Sequence, residues 1–194
     1  MTKPKMTKQY GFYIDASKCT GCRTCVVACK DAHNLPVGRN YRTVHEVVTG
    51  GWKAEKGAWR QDVRAFYLPV SCNHCSDPAC VKVCPTKAHY KRPEDGLVLI
   101  DQEQCIGCGM CAAACPYHAP VLDAKTRKMT KCDACAERLE KGRLPICVES
   151  CPQRAIEFGP IDELRAKHGD NAASIGLPDP AVTKPNLVVG LPKA

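Results

Sequence analysis

Sixteen cysteines stand in four groups of four, with none left over. The groups are Cys19, Cys22, Cys25 and Cys29; Cys72, Cys75, Cys80 and Cys84; Cys105, Cys108, Cys111 and Cys115; and Cys132, Cys135, Cys147 and Cys151. The first and third read C-x2-C-x2-C-x3-C, the second C-x2-C-x4-C-x3-C and the fourth C-x2-C-x11-C-x3-C. Three of them run into proline, at Cys84-Pro85, Cys115-Pro116 and Cys151-Pro152. A cubane iron–sulfur cluster needs four soft thiolates converging on one object. Closely spaced cysteines with a last one followed by proline are the bacterial ferredoxin run, in which the fourth cysteine ligates the neighbouring cluster. Four groups predict four [4Fe-4S] clusters, with iron held through all sixteen cysteines. Gly21 and Gly107 lie inside two of the loops, where a chain wrapped around a cluster needs positive φ. The fourth cysteine of each group is expected to begin a helical turn, and the proline to mark a boundary.

Other chemistries of cysteine fit less well. Steps of Cys-x-x-Cys this local and numerous make poor disulfide partners. Zinc ribbons use pairs of Cys-x-x-Cys across longer spacers rather than three consecutive ligands and Cys-Pro. Haem attachment needs Cys-x-x-Cys-His, but Ser76 follows Cys75 and Ala136 follows Cys135. Thioredoxin-like chemistry lacks its βαβ context and would not use sixteen sulfurs.

The elements that must position the cysteines show an internal repeat. Tyr10-Gly11-Phe12-Tyr13-Ile14-Asp15 precedes Cys19, and Gly96-Leu97-Val98-Leu99-Ile100-Asp101 precedes Cys105. Each reads as a short strand delivering the chain to a cluster loop. Pro78-Ala79-Cys80-Val81-Lys82-Val83-Cys84-Pro85 matches Pro145-Ile146-Cys147-Val148-Glu149-Ser150-Cys151-Pro152, and Lys87-Ala88 matches Arg154-Ala155. The chain is a doubled two-cluster ferredoxin of α+β class. Groups two and three can pair as one module and groups one and four as the other; adjacency equally allows one with two and three with four.

Residues 31–65 form a cysteine-free insertion. Residues 43–48, Thr49-Gly50-Gly51 and Trp52 read as a hairpin with a glycine turn. Trp52 and Trp59 read as packing residues rather than electron relays. Residues 161–194 begin with a short helix, Ile161–His168, and become rich in proline and glycine. Such a tail is expected not to pack alone and to lie along a partner or be disordered.

The 194 residues suffice for one or two compact domains. Aromatic residues make up only 6%, so the core is thin and clusters are expected to act as staples that the apoprotein lacks. The formal charge of +8 counts thiols as neutral; four clusters would bring the loaded protein towards neutrality or below. No Lys/Arg block interleaved with aromatics suggests nucleic-acid binding. No apolar run reaches the roughly 18 residues of a membrane span, and the basic stretch from Met1 to Gln9 lacks the apolar core of a signal peptide and a twin arginine. His33, His45, His74, His89, His118 and His168 are scattered. His74, between Cys72 and Cys75, is a candidate for tuning a cluster through sulfur, or else a partly exposed loop histidine. Phosphate loops, nucleophilic triads and paired carboxylates are missing. What remains is one-electron transfer without a catalytic residue.

Several segments resemble the iron–sulfur (beta) subunits of the complex molybdoenzymes, most nearly those of anaerobic dimethyl sulfoxide reductases. These are Cys19-Thr20-Gly21-Cys22, Cys29-Lys30-Asp31, Ser71-Cys72-Asn73-His74-Cys75, Asp77-Pro78-Ala79-Cys80, Met129-Thr130-Lys131-Cys132-Asp133, the run from Pro145 to Pro152, Phe158-Gly159-Pro160-Ile161-Asp162-Glu163-Leu164-Arg165 and Thr183-Lys184-Pro185-Asn186. The resemblance covers nearly the whole chain. It implies two nested bacterial two-[4Fe-4S] ferredoxin-like modules, with a hairpin insertion at 31–65 and an extended tail at 161–194. Residues 1–30 plus 125–160 would form one module and 66–124 the other.

The resemblance further implies a heterotrimer with a molybdopterin-containing catalytic subunit and an integral membrane anchor that oxidises quinol. Electrons would pass from menaquinol to the reduction of dimethyl sulfoxide and related S- and N-oxides in anaerobic respiration. Related complexes act on polysulfide or formate, or are hydrogenase-linked. By motif, the first cluster, nearest the catalytic subunit, would use Cys19, Cys22, Cys25 and Cys151. The second would use Cys29, Cys132, Cys135 and Cys147; the third Cys72, Cys75, Cys80 and Cys115; the fourth, nearest the quinol, Cys84, Cys105, Cys108 and Cys111. Nitrate reductase beta subunits carry Trp where Cys108 stands, and formate dehydrogenase beta subunits end in a membrane helix; this sequence departs from both. The complex is expected on the periplasmic face, by co-export with the catalytic subunit, with the cytoplasmic face as the alternative.

Overall fold

The computed structural model describes residues 8–192; the basic stretch beginning at Met1 lies largely outside them. The chain runs through β1 (Tyr10–Asp15), α1 (Thr24–Ala32), β2 (Arg42–Glu55), β3 (Ala58–Ser71), α2 (Ala79–Lys82), β4 (His89–Lys91), β5 (Val98–Ile100) and α3 (Met110–Ala114). It continues through β6 (Val121–Asp123), β7 (Lys128–Thr130), α4 (Ala136–Glu140), α5 (Ile146–Glu149), β8 (Ile156–Pro160), α6 (Ile161–His168), a 3-10 turn at Pro180–Val182 and β9 (Leu187–Gly190). This is a mixed α/β chain with little helix. The strands expected before Cys19 and Cys105 are β1 and β5, and the expected helix after Pro160 is α6.

Prolines explain why most helices are short. Pro78 and Pro145 stand at the N-caps of α2 and α5, and the residue before a proline is kept out of the helical region. Cys115, before Pro116, is accordingly extended and ends α3. The fourth cysteines therefore do not begin helical turns as expected. Cys115 caps α3, Cys84 and Cys151 follow α2 and α5, and Cys29 lies within α1.

β1 lies between β8, antiparallel to it, and β9, parallel to it. Side chains alternate across this sheet with period two. Phe12, Ile14, Ile156, Phe158, Leu187 and Val189 face the main core, which also holds Cys25, Cys147 and Cys151. Tyr13 and Val188 face the other way, onto Ile161 and Leu164 of α6. Two small antiparallel ribbons, β4–β5 and β6–β7, flank a second core of Cys80, Ala88, Val98, Cys105, Cys111 and Met129.

The tail corrects the sequence-based expectation. Its end packs on its own chain: Leu187, Val188 and Val189 are buried in the sheet. Asn186 is fully buried; its Nδ2 donates to the His74 carbonyl at 2.7 Å, its Oδ1 accepts from the Ser76 hydroxyl at 3.1 Å, and its carbonyl accepts from the Phe12 N–H at 3.0 Å. Three consecutive apolar residues suffice for a strand despite the prolines around them. Leu187→Ala is expected to cost about 2–5 kcal/mol, read as a lower urea midpoint under anaerobic conditions with iron content unchanged.

The hairpin is also longer than expected. β2 and β3 pair in continuous register from Arg42↔Ser71 to Glu55↔Ala58. Its turn is at Lys56 and Gly57, both at positive φ (51° and 82°), and not at Thr49-Gly50-Gly51. Two successive left-handed residues match the twist of the flanking strands. Gly50 is instead inside β2 at φ 81°, where a Cβ would run into the Asp62 carbonyl. The base of the hairpin buries Val47, Leu68 and Val70, while Trp52 and Trp59 near its tip are 65% and 70% exposed and are not packing residues in this chain. β3 runs past residue 65 directly into Cys72. Gly50→Val should destabilise the hairpin by roughly 1–3 kcal/mol; hydrogen exchange should show lost protection across residues 48–64 and none across β1.

Candidate iron–sulfur sites

All sixteen cysteines are free thiols; Cys22 and Cys108 are exposed and the others are buried or half-buried. Cys19, Cys22 and Cys25 share a cavity with Cys151, walled by Val44, Pro69 and Ile156. Cys72, Cys75 and Cys80 share one with Cys115, walled by Val98, Tyr117 and Thr183. Cys105, Cys108 and Cys111 share one with Cys84, walled by Ile106, His89 and Met129. Each cavity joins three cysteines of one group to the last cysteine of another. The remaining four also meet: Cys147 lies in the electrostatic reach of Cys135 and Cys29, and Cys132 in that of Cys29 and Cys147. His33 bonds the side chains of Cys29 and Cys135.

These donor sets suit an iron–sulfur cluster: four soft sulfurs facing a mostly apolar space. Their loops are shaped for it. Gly21 and Gly107 have φ of 70° and 69°; added Cβ atoms would meet the Tyr67 ring and the Arg127 carbonyl. The fourth group has no such glycine, and Ala134 and Cys135 take the left-handed conformation themselves, at 58° and 54°. Backbone N–H groups point at sulfur from Ala155 to Cys151 (3.3 Å), Ala134 to Cys132 (3.4 Å), Met129 to Cys105 (3.4 Å) and His89 to Cys84 (3.5 Å).

Burial pushes the Cys25, Cys75 and Cys111 thiols up to about 11 and Cys80 up to about 12, with neighbouring thiols raising them further. Such thiols hold their protons at neutral pH until a metal displaces them. Cys22 differs. The Thr24 hydroxyl, 3.4 Å away, holds this exposed thiol below its usual range.

His74 is not the exposed loop residue of the alternative expectation, and its Nε2 is buried with no partner among the described residues. It is buried at φ 43°, its Nδ1 accepts from the Val98 N–H at 3.0 Å, and burial keeps it neutral. Its role is to close the backbone between the second group and β5.

Sequence reasoning missed the buried cations. Lys131 is buried and donates to the carbonyls of Val98 and Cys132. Lys91 reaches the carbonyls of Cys75 (3.0 Å) and Gly96 (2.7 Å), and burial pulls it down to about 8. Arg42 is buried entirely. Sequence reasoning also passed over the pair of His33 and Asp133, 3.3 Å apart beside Cys29 and Cys135. A Lys or Arg near cysteines carries no mark of burial in the sequence; only Lys131, adjacent to Cys132, had a local cue.

Comparison with known proteins agrees with this donor chemistry. Residues 63–161 match the 4Fe-4S dicluster domain family and residues 10–31 the 4Fe-4S binding domain family. The sequence is 55% identical to the B subunit of anaerobic dimethyl sulfoxide reductase from Escherichia coli (strain K12), over 95% of its own length and 89% of that protein. It is 51% identical to the corresponding B subunit from Haemophilus influenzae, over 94% and 89%. To the thiosulfate reductase electron transfer subunit of Salmonella typhi it is 40% identical, over 81% and 79%. This protein therefore belongs to the family of 4Fe-4S electron-transfer subunits of dimethyl sulfoxide reductase type, whose members are not the catalytic subunits of their complexes.

Proposed function

We propose that the chain carries four [4Fe-4S] clusters and relays electrons from a quinol-oxidising membrane anchor to a molybdopterin catalytic subunit that reduces dimethyl sulfoxide and related S- and N-oxides. The observation that carries the reading is the crossing of the cysteine groups, in which three cavities each hold four thiols and a fourth set of four remains. The ligand sets are Cys19, Cys22, Cys25 and Cys151; Cys29, Cys132, Cys135 and Cys147; Cys72, Cys75, Cys80 and Cys115; and Cys84, Cys105, Cys108 and Cys111. Groups one and four then make one ferredoxin-like module and groups two and three the other, nested inside it.

A bound cluster supplies storage for one electron at a potential that its surroundings set. The protein's own residues do the rest. Thiolates hold the iron, backbone N–H groups at Cys151, Cys132, Cys105 and Cys84 favour the charged sulfur, and the apolar walls keep water from the buried sets. The two exposed thiols fall in the first and last sets of the proposed row, Cys22 at one end and Cys108 at the other. Those are the ends that must come close to partners. Chemistry on the substrate belongs to the catalytic subunit, so a thiosulfate- or polysulfide-type complex could use the same wire; the higher identity to the dimethyl sulfoxide reductase subunits favours the sulfoxide reading. Among the described residues no helix is long and apolar enough to cross a membrane; the reading places the chain peripherally on the anchor, on the periplasmic face by co-export with the catalytic subunit.

Anaerobically purified protein should contain about sixteen iron, four to each set of thiolates; zinc without iron would sink the reading. Cys108→Ser should alter the EPR signal of one cluster and spare the other three. Four unchanged signals would show that Cys108 is not a ligand. Under mild detergent the protein should co-purify with a molybdenum-containing subunit and a multi-span membrane protein, and recovery from membranes without either would argue for a soluble wire instead.

A further inference from the structure

Arg42, the first residue of β2, is among the largest fully buried side chains, at 1% exposure. Its guanidinium donates to the Pro69 carbonyl and to the Ser71 hydroxyl (3.0 Å), and its carbon lies 4.9 Å from the centre of the Phe12 ring. Its Nε has no hydrogen-bond partner. No carboxylate of the described residues forms an ion pair with it, although the less deeply placed Arg39 pairs with Asp123 and Arg92 with Glu94, Asp95 and Glu140. A buried guanidinium without a counter-charge is strongly disfavoured. Against the burial that disfavours its charge, the groups that most favour it are the thiols of Cys147, Cys132, Cys25 and Cys29. Conversely, Arg42 favours the thiolate at Cys19, Cys25 and Cys147, and Pro69, whose carbonyl it holds, walls the first cavity.

These sulfurs divide between two sets. Cys19 and Cys25 line the first cavity; Cys29, Cys132 and Cys147 belong to the second set. Lys131 acts on Cys80 and Cys115 of the third set and donates to the Cys132 carbonyl of the second, whereas Arg42 acts on thiols of both the first and the second. We propose that Arg42 is a fixed positive charge common to the first and second cysteine sets, and that it raises the reduction potentials of the clusters they hold. The inference rests on the ligand sets proposed above. Reduction adds one negative charge to a site. A cation held nearby in a low-dielectric interior stabilises the reduced form, and its removal shifts the midpoint in the negative direction. A purely structural role would require only donors to Pro69 and Ser71, which a neutral side chain can supply, and would leave the missing carboxylate unexplained.

The test is an EPR-monitored redox titration of the iron-loaded protein carrying Arg42→Met or Arg42→Gln, with Arg42→Lys keeping the charge. The wild type comes first: fewer than four cluster signals there would fail the ligand reading, whatever Arg42 does. In the neutral variants two midpoints should move negative by at least a tenfold change in the reduced-to-oxidised ratio, about 59 mV for one electron. The other two should stay, and Arg42→Lys should stay near wild type. Full iron with four unmoved midpoints in a neutral variant overturns the proposal, as does a shift in Arg42→Lys equal to that in Arg42→Met. If neither neutral variant loads iron, loading by Arg42→Lys supports the charge requirement, and failure of all three shows that the shape of arginine is what matters.

Discussion

A thiolate buried in a protein interior is unfavourable unless something takes up its charge, and this protein buries ten cysteines outright. Most of the other features answer that constraint. Left to burial alone, Cys25, Cys75, Cys80 and Cys111 are driven well above the ordinary thiol range. Backbone N–H groups aimed at sulfur offset part of this, and Lys131, Lys91 and Arg42 offset more. Iron bound in the proposed sets would do the remainder, and in doing so would cross-link segments far apart in sequence, such as the loop at Cys19 and the end of α5 at Cys151. With three phenylalanines in the whole sequence, those links would replace much of the packing that an ordinary core supplies.

The crossing of the groups follows from local backbone chemistry. A loop of three closely spaced cysteines turns its sulfurs inward. The last cysteine lies within or beyond a short helix whose length proline limits, as at Cys115 before Pro116. It is thus carried out of its own loop and into reach of the facing one. The same geometry occurs at Cys84 and Cys151, so neighbouring sets exchange one cysteine each.

The cysteine grouping was legible because metal ligation is encoded in spacing a few residues long, and β1 and α6 because their patterns are local. The partner of each fourth cysteine was not, because spacing alone does not say which groups face each other; only resemblance to a family implied it. Gly50-Gly51 drew the turn away from Lys56-Gly57, since two glycines look like a turn whether or not strand twist selects them. The prolines of the tail concealed Leu187, Val188 and Val189, which pair with β1. Arg42 was invisible for a different reason: a lone arginine in sequence says nothing of burial, and only the missing carboxylate in three dimensions marks it.

The tail then takes on a role that its composition hides. Asp77 and Ser76, beside the second group, bond the carbonyls of Thr183 and Lys184 through their N–H groups at 3.0 and 2.8 Å. Thr183 also walls the cavity of Cys72, Cys75, Cys80 and Cys115, with its hydroxyl buried and without a hydrogen-bond partner among the described residues. Four residues later the chain enters β9 beside β1, the strand that leads to Cys19. One short covalent segment thus touches the third set at one end and the sheet supporting the first at the other. The separation between those sets is fixed by bonded geometry and backbone hydrogen bonds, which vary less than side-chain packing between two loosely apposed modules. Since electron transfer depends steeply on distance, tying the third set and the sheet under the first to one segment of chain would constrain the spacing of the proposed row across its two modules more than either module could alone.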